Sequence, residues 1–108
     1  MNAKPVVALA EVLSDLEKAK VHYATWRSDG AAHLLQKYDE TVGMIEGSPD
    51  SFPKKYGPVQ RAILKHSFFV VYFLQESDRS LVVAVLDSRR SPTEIRQIVT
   101  KRRSSARP

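Results

Sequence analysis

The chain has 108 residues, a net charge of +5 and no cysteine, which bounds it to one domain with a single modest core and excludes a disulfide framework or a thiolate metal site. No run approaches the roughly 18 apolar residues of a membrane span. The Met1–Leu13 segment has only Lys4 ahead of its apolar residues and Pro5 within it, a poor signal peptide, so the expectation is a cytoplasmic protein with no membrane partner.

The first predicted element is a short edge strand over Lys4–Ala8 (KPVVA), β-branched and opened by Pro5. After it, Leu9, Val12, Leu13, Leu16, Ala19, Tyr23 and Trp26 recur at helical spacing, with Glu11, Asp15, Glu17, Lys18 and Lys20 on the other face. Ser28-Asp29-Gly30 breaks the run and offers an N-cap for a second helix, whose stripe is Ala31, Leu34, Leu35, Tyr38, Val42 and Ile45. Gly47 and Pro49 end it, so the pair reads as an antiparallel αα-hairpin. Ser48–Gly57 reads as a connecting loop pinned by Phe52 and Tyr56.

Three apolar runs follow, Val59–Leu64, Phe68–Gln75 and Leu81–Leu86, the pattern of a three-stranded antiparallel meander. Their apolar residues fall at odd and even positions alike, so both faces of the sheet require cover. The helical hairpin supplies one cover. Either the segment Pro92–Lys101 supplies the other, or Phe69, Val71, Phe73 and Val83 stay open as a docking face for a partner. Ser91, Pro92 and Glu94 have the spacing of a capping box with proline at the first helical position, predicting a short C-terminal helix with Ile95, Ile98 and Val99 as its stripe. The fold class is therefore α+β in one domain over residues 4–102, with 103–108 a basic disordered tail.

Charge is concentrated at the C-terminal end. Arg89–Pro108 holds seven basic residues against Glu94, or +6, which leaves about −1 for the preceding 88. This is a solvated tail, or an electrostatic handle for a nucleic acid or an acidic protein segment. His22, His33 and His66 lie far apart with no ligand spacing, so no metal and no small-molecule cofactor is expected. No glycine-rich phosphate loop or nucleophile elbow is present. Phosphate-directed groups remain: Arg61, Lys65 and His66 near the first run of the meander, and Arg89 and Arg90 after the last. They are a nuclease set, or plain exposed positions.

In order and spacing, SDLEKAKVHY in the first helix, GPVQRAILKHSFFVVYFL in the meander and VLDSRRSPTEI after it resemble the RelE/ParE superfamily of type II toxin-antitoxin toxins over about Lys4–Val99. The resemblance implies a cognate antitoxin that covers part of the toxin, here through Phe69, Val71, Phe73 and Val83. It also implies one of two activities. The ParE branch, associated with plasmid stabilisation, inhibits DNA gyrase; Arg89, Arg90, Arg96, Lys101 and Arg102 are then the target-binding group. The RelE branch cuts messenger RNA on the ribosome without a metal, and its catalytic set here would be Arg61, Lys65, His66 and Arg90. Phe69 and Arg96 stand where the RelE branch has an arginine and a C-terminal tyrosine, and Gln60 and Ala62 about where it has lysines. The VLxxRRxP run is nearer the ParE branch, with Asp87 in place of its usual histidine.

Overall fold

The computed structural model describes residues 3–65 and 67–105. In chain order the elements are β1 (Val6–Ala8), α1 (Glu11–Ala24), α2 (Gly30–Gly47), a 3-10 turn (Pro49–Ser51), β2 (Lys54–Tyr56), β3 (Val59–Ile63), β4 (Phe69–Gln75), β5 (Ser80–Asp87) and α3 (Pro92–Ser105). The strands form one sheet in the order β1-β5-β4-β3-β2, antiparallel except for β1, which runs parallel to β5. The α+β meander and helical hairpin are as the hydrophobic pattern predicts.

The segment predicted as a plain loop contributes a fifth strand. β2 pairs with β3 through Lys54↔Gln60 and Tyr56↔Val59. Its two lysines and the preceding Pro53 suit a sheet edge, where they discourage pairing with another chain. The rest of the loop is held from below: the buried Gln60 amide donates to the carbonyls of Pro49 (2.8 Å) and Phe52 (2.9 Å). Phe52 and Tyr56 do pin it, packing on Phe73 and Tyr72.

The helical hairpin closes tightly because of Gly30. A Cβ there would stand 2.1 Å from the Tyr23 carbonyl oxygen, so the end of α1 and the start of α2 meet backbone to backbone. Asp29 does not cap α2 through its side chain; its carboxylate holds Arg27 instead.

Both faces of the sheet are sealed. Val12, Ala19, Leu34 and Ile45 of the hairpin pack on Phe69, Val71, Phe73, Val82 and Val85. On the opposite side Ile95 and Val99 of α3 pack on Val70, Tyr72, Leu81, Val83, Ala84 and Leu86. Burying each of those two α3 side chains is worth about 1.5–3 kcal/mol, enough to hold a short helix that propensity alone would not. The expected open docking face is thus overturned: Phe69, Val71, Phe73 and Val83 are 7, 0, 0 and 0% exposed. Nor do they share a face. The β4–β5 register shifts by one between Tyr72↔Ala84 and Phe73↔Val82, making Val83 an extra residue. Such a bulge puts two successive residues on one side, so Val83 and Ala84 both face α3 while Phe69, Val71 and Phe73 face the hairpin.

The tail boundary also moves. α3 continues to Ser105, so the residues from Arg103 to Ser105 are helical rather than part of a tail; 106–108 lie outside the described residues.

Candidate functional site

β1 covers the outer edge of β5 only from Ser80 to Val82. Beyond that point this edge of β5 has no neighbouring strand among the described residues, and α1 lies alongside it. Backbone groups on this edge need partners. Asp15 supplies one, accepting the Val85 N–H at 2.9 Å. Arg102 supplies the other: its guanidinium donates to the Val83 carbonyl at 3.2 Å and grips Asp15 with two bonds of 2.5 and 3.0 Å. The ion pair thereby takes the place of a missing strand and ties α1, β5 and α3 together. Arg102 was expected to face a target; it is structural, with its side chain 18% and that of Asp15 3% exposed. Asp15, assigned by spacing to the wet face of α1, is a buried polar residue that the pattern missed.

Next to this pair a cleft of about 400 Å³ opens between α1 and the end of β5. One wall carries Lys18 and His22; the other carries Asp87, Arg89 and Arg90; Phe69 lies between them. The turn after β5 is organised by Asp87. One carboxylate oxygen accepts the Arg89 backbone N–H (2.8 Å) and Nε (3.1 Å), and the other accepts Nη2 (2.7 Å). These bonds hold the Asp87 carboxyl below the usual carboxylate range, and raise the Arg89 guanidinium in turn. The same guanidinium lies over the Phe68 ring, 4.1 Å from its centroid. Arg90, on the same wall, pairs instead with Glu94 at 3.1 Å, so Glu94 serves that arginine.

A second cluster sits on the α3 side of the sheet. Arg61 and Tyr72 face each other in register across β3 and β4. The Tyr56 ring packs on Tyr72 with centroids 5.9 Å apart, and Arg96 lies over Tyr56 at 5.7 Å. Burial pushes the Tyr72 phenol up to about 12, with Tyr56 adding to the effect and Arg61 opposing it. Lys55, Thr93 and Arg96 rim a hollow of about 320 Å³ beside it.

The five residues expected to bind a target therefore part company. Arg89 and Arg90 share the cleft, Arg96 belongs to the tyrosine cluster, Lys101 borders a hollow with Glu11 of α1, and Arg102 is inside the fold. The nuclease set is also dispersed. Arg61 is beside Tyr72, Lys65 lines a hollow with Lys37 and Glu40 of α2, Arg90 is at the cleft, and His66 lies outside the described residues. Tyr56 and Tyr72 were not singled out by spacing; Tyr72 could have been, since it follows Val70 at the strand period of two. Among the described residues no group of three or more His, Asp or Glu side chains could hold a metal ion. No helix among them is long and apolar enough to cross a membrane.

No protein-family model matches this chain, and no curated protein does. The fold, however, is shared with a solved structure, a chain of a chromosomal ParDE TA system from P. aeruginosa. The superposition has a TM-score of 0.67 and covers 79% of this chain and 96% of that one, at 15% sequence identity. At that identity the likeness is one of fold, and the fold is the one implied by the RelE/ParE resemblance.

Proposed function

We propose that this protein is the toxin of a type II toxin-antitoxin module, of the ParE type, held inactive by a cognate antitoxin and directed at DNA gyrase in the cytoplasm. What carries the reading is the fold shared with the ParDE chain, joined to the VLDSRRSP run that places Arg89 and Arg90 at the mouth of the cleft. Because both sheet faces are sealed, the antitoxin engages edges and outer helical surfaces rather than Phe69, Val71, Phe73 or Val83. Arg89 and Arg90 serve as target contacts. The test is expression of the protein alone in a bacterial host. Filamentation and induction of the DNA-damage response, both suppressed by co-expressing a cognate antitoxin, are the expected results. Normal growth with soluble, folded protein would refute the reading.

The tyrosine cluster favours a second reading, a ribosome-dependent endoribonuclease of the RelE type, since Arg61 and Arg96 flank two phenols on one sheet face. Against it, Tyr72 is only 3% exposed, which leaves its raised phenol out of reach of a substrate. Primer extension on translated messages decides between the two. Codon-phased cuts establish the nuclease, and uncut messages in arrested cells leave the gyrase reading standing.

A further inference from the structure

The α3 side of the sheet gathers charge that the cleft does not share. Lys55 of β2 and Arg96 of α3 stand over the Tyr56 ring, with Nζ 5.9 Å and Cζ 5.7 Å from its centroid. Both line the hollow of about 320 Å³ beside that ring, whose other walls are Pro92 and Thr93. Arg103 follows Arg96 by seven residues, about two turns and roughly 10 Å farther along the same face of α3. Its Nη1 lies 3.7 Å from where a Cβ on Gly57 would stand, so it reaches the turn between β2 and β3. Arg61 joins the group from β3, directly across from Tyr72, on whose ring Tyr56 packs. The tyrosine pair thus has four cations around it.

These cations are uncommitted, unlike those of the cleft. Arg89 is held by Asp87, Arg90 by Glu94 and Arg102 by Asp15. Among the described residues Lys55, Arg61, Arg96 and Arg103 have no carboxylate partner, and no carboxylate lines the hollow. Four like charges held together repel one another until an anion arrives. The lining offers the hydroxyls of Tyr56 and Thr93 but no large aliphatic side chain to anchor a peptide or enter a lipid layer. Lys, Arg, Tyr and Thr are side chains that contact nucleic-acid backbone. Ring exposure then separates paired from unpaired strands. A single strand draws affinity from rings open to its bases. Here Tyr72 is 3% exposed, and Tyr56 is already engaged by Tyr72, Lys55 and Arg96. A duplex, with its bases stacked inside, needs only the cations.

We propose that this surface binds the phosphate backbone of a double-stranded nucleic acid, without reading its sequence and without cutting it. Lys55, Arg61, Arg96 and Arg103 meet phosphates, and the Tyr56–Tyr72 pair holds the first three in place. This goes beyond the toxin reading and does not require it, since the argument uses neither gyrase nor growth arrest.

The experiment titrates the full chain into short labelled probes: a DNA duplex, one of its single strands, an RNA duplex of the same sequence, and phosphatidylserine vesicles. If each of the four cations neutralises one phosphate, log Kobs falls against log salt with a slope of about −3.6, or about 150-fold between 50 and 200 mM salt. Lys55→Gln and Arg96→Gln, both at exposed positions, are each expected to make the slope shallower by about 0.9 and to weaken the duplex about tenfold at 50 mM salt, with circular dichroism unchanged. Arg27→Gln removes the same charge from the turn between α1 and α2, where Arg27 is paired with Asp29, and is expected to change neither quantity. Saturable binding of either duplex supports the proposal, and comparison of the two shows which one is held. A wild-type slope shallower than about −2, equal weakening by Arg27→Gln, tighter binding of the single strand than of its duplex, or binding of the vesicles and of neither duplex overturns it. Growth arrest without duplex binding sinks this proposal and leaves the toxin reading standing; duplex binding without growth arrest does the reverse.

Discussion

Removing one member of the Asp15–Arg102 pair should cost more than removing the other, and removing both should not restore stability. In Arg102→Ala the Asp15 carboxylate, with its side chain 3% exposed, keeps one donor, the Val85 N–H. A buried charge left without its counterion costs about 3–5 kcal/mol. At roughly 4 °C per kcal/mol for a domain of this size, that lowers Tm by about 12–20 °C. Asp15→Asn is milder. The amide oxygen still accepts from Val85, while Arg102, with 18% of its side chain exposed, keeps the Val83 carbonyl and some water. The loss is then that of a charged hydrogen bond, about 1.5–3 kcal/mol. The informative variant is the double substitution Asp15→Leu with Arg102→Met. Apolar replacement of a buried ion pair is often neutral or stabilising. Here it leaves the Val83 carbonyl and the Val85 N–H without partners on an edge that no strand covers, at about 1–3 kcal/mol each. Urea unfolding of the wild type and the three variants measures all of this. A double variant as stable as wild type, or an Asp15→Asn loss equal to that of Arg102→Ala, would refute the view that the pair replaces a strand.

The remaining tests concern single positions. Gly30→Ala is expected to loosen the hairpin by well over the ~1 kcal/mol a helical glycine-to-alanine change ordinarily gains, because its Cβ meets backbone at 2.1 Å. Gly43→Ala, with nothing within 4 Å of its Cβ, is the control and should be neutral or slightly stabilising in the same melt. Asp87 has a depressed carboxyl in the folded chain, so its contribution is fully present above the unfolded value near pH 4 and is lost as pH falls below it. Asp87→Asn should therefore flatten the acid limb of the stability curve, and an unchanged limb would exclude the Arg89 clamp as its cause. For Tyr72 the folded phenol ionises near 12, above the ordinary value of about 10. The unfolded chain gives up this proton first, so its contribution is lost as pH rises above 10. Ultraviolet titration of Tyr72→Phe should lack the highest phenol step and show a shallower alkaline loss; retention of that step assigns it to another tyrosine.

Local pattern carried most of the architecture. The helical spacing of Val12, Ala19, Leu34 and Ile45, and the apolar runs through β3, β4 and β5, predict elements that the structure contains, because each is set by which side of a single helix or strand must leave water. β2 escaped notice because Lys54-Lys55-Tyr56 has no apolar run; an edge strand of three residues is held by its neighbour rather than by its own composition. Phe69, Val71, Phe73 and Val83 were correctly read as apolar and wrongly read as open. Continuous hydrophobicity says that both faces are dry without saying who keeps them so.

The candidate site was legible only in part. Arg89 and Arg90 stand out in any reading of the chain, since two permanent charges end a buried strand. Their separation was not visible: one is clamped by Asp87 two residues back and the other by Glu94 four residues on. Strand alternation, helix stripes and the charge gradient are properties of neighbours along the chain, and these were written in the order of the amino acids. The phase of the Val83 bulge, the cover provided by α3 and the pairing of Asp15 with Arg102 depend on which segments lie side by side in space. An aspartate on α1 finds its cation 87 positions away only because β1 stops at Ala8 and leaves two backbone groups of β5 in want of partners.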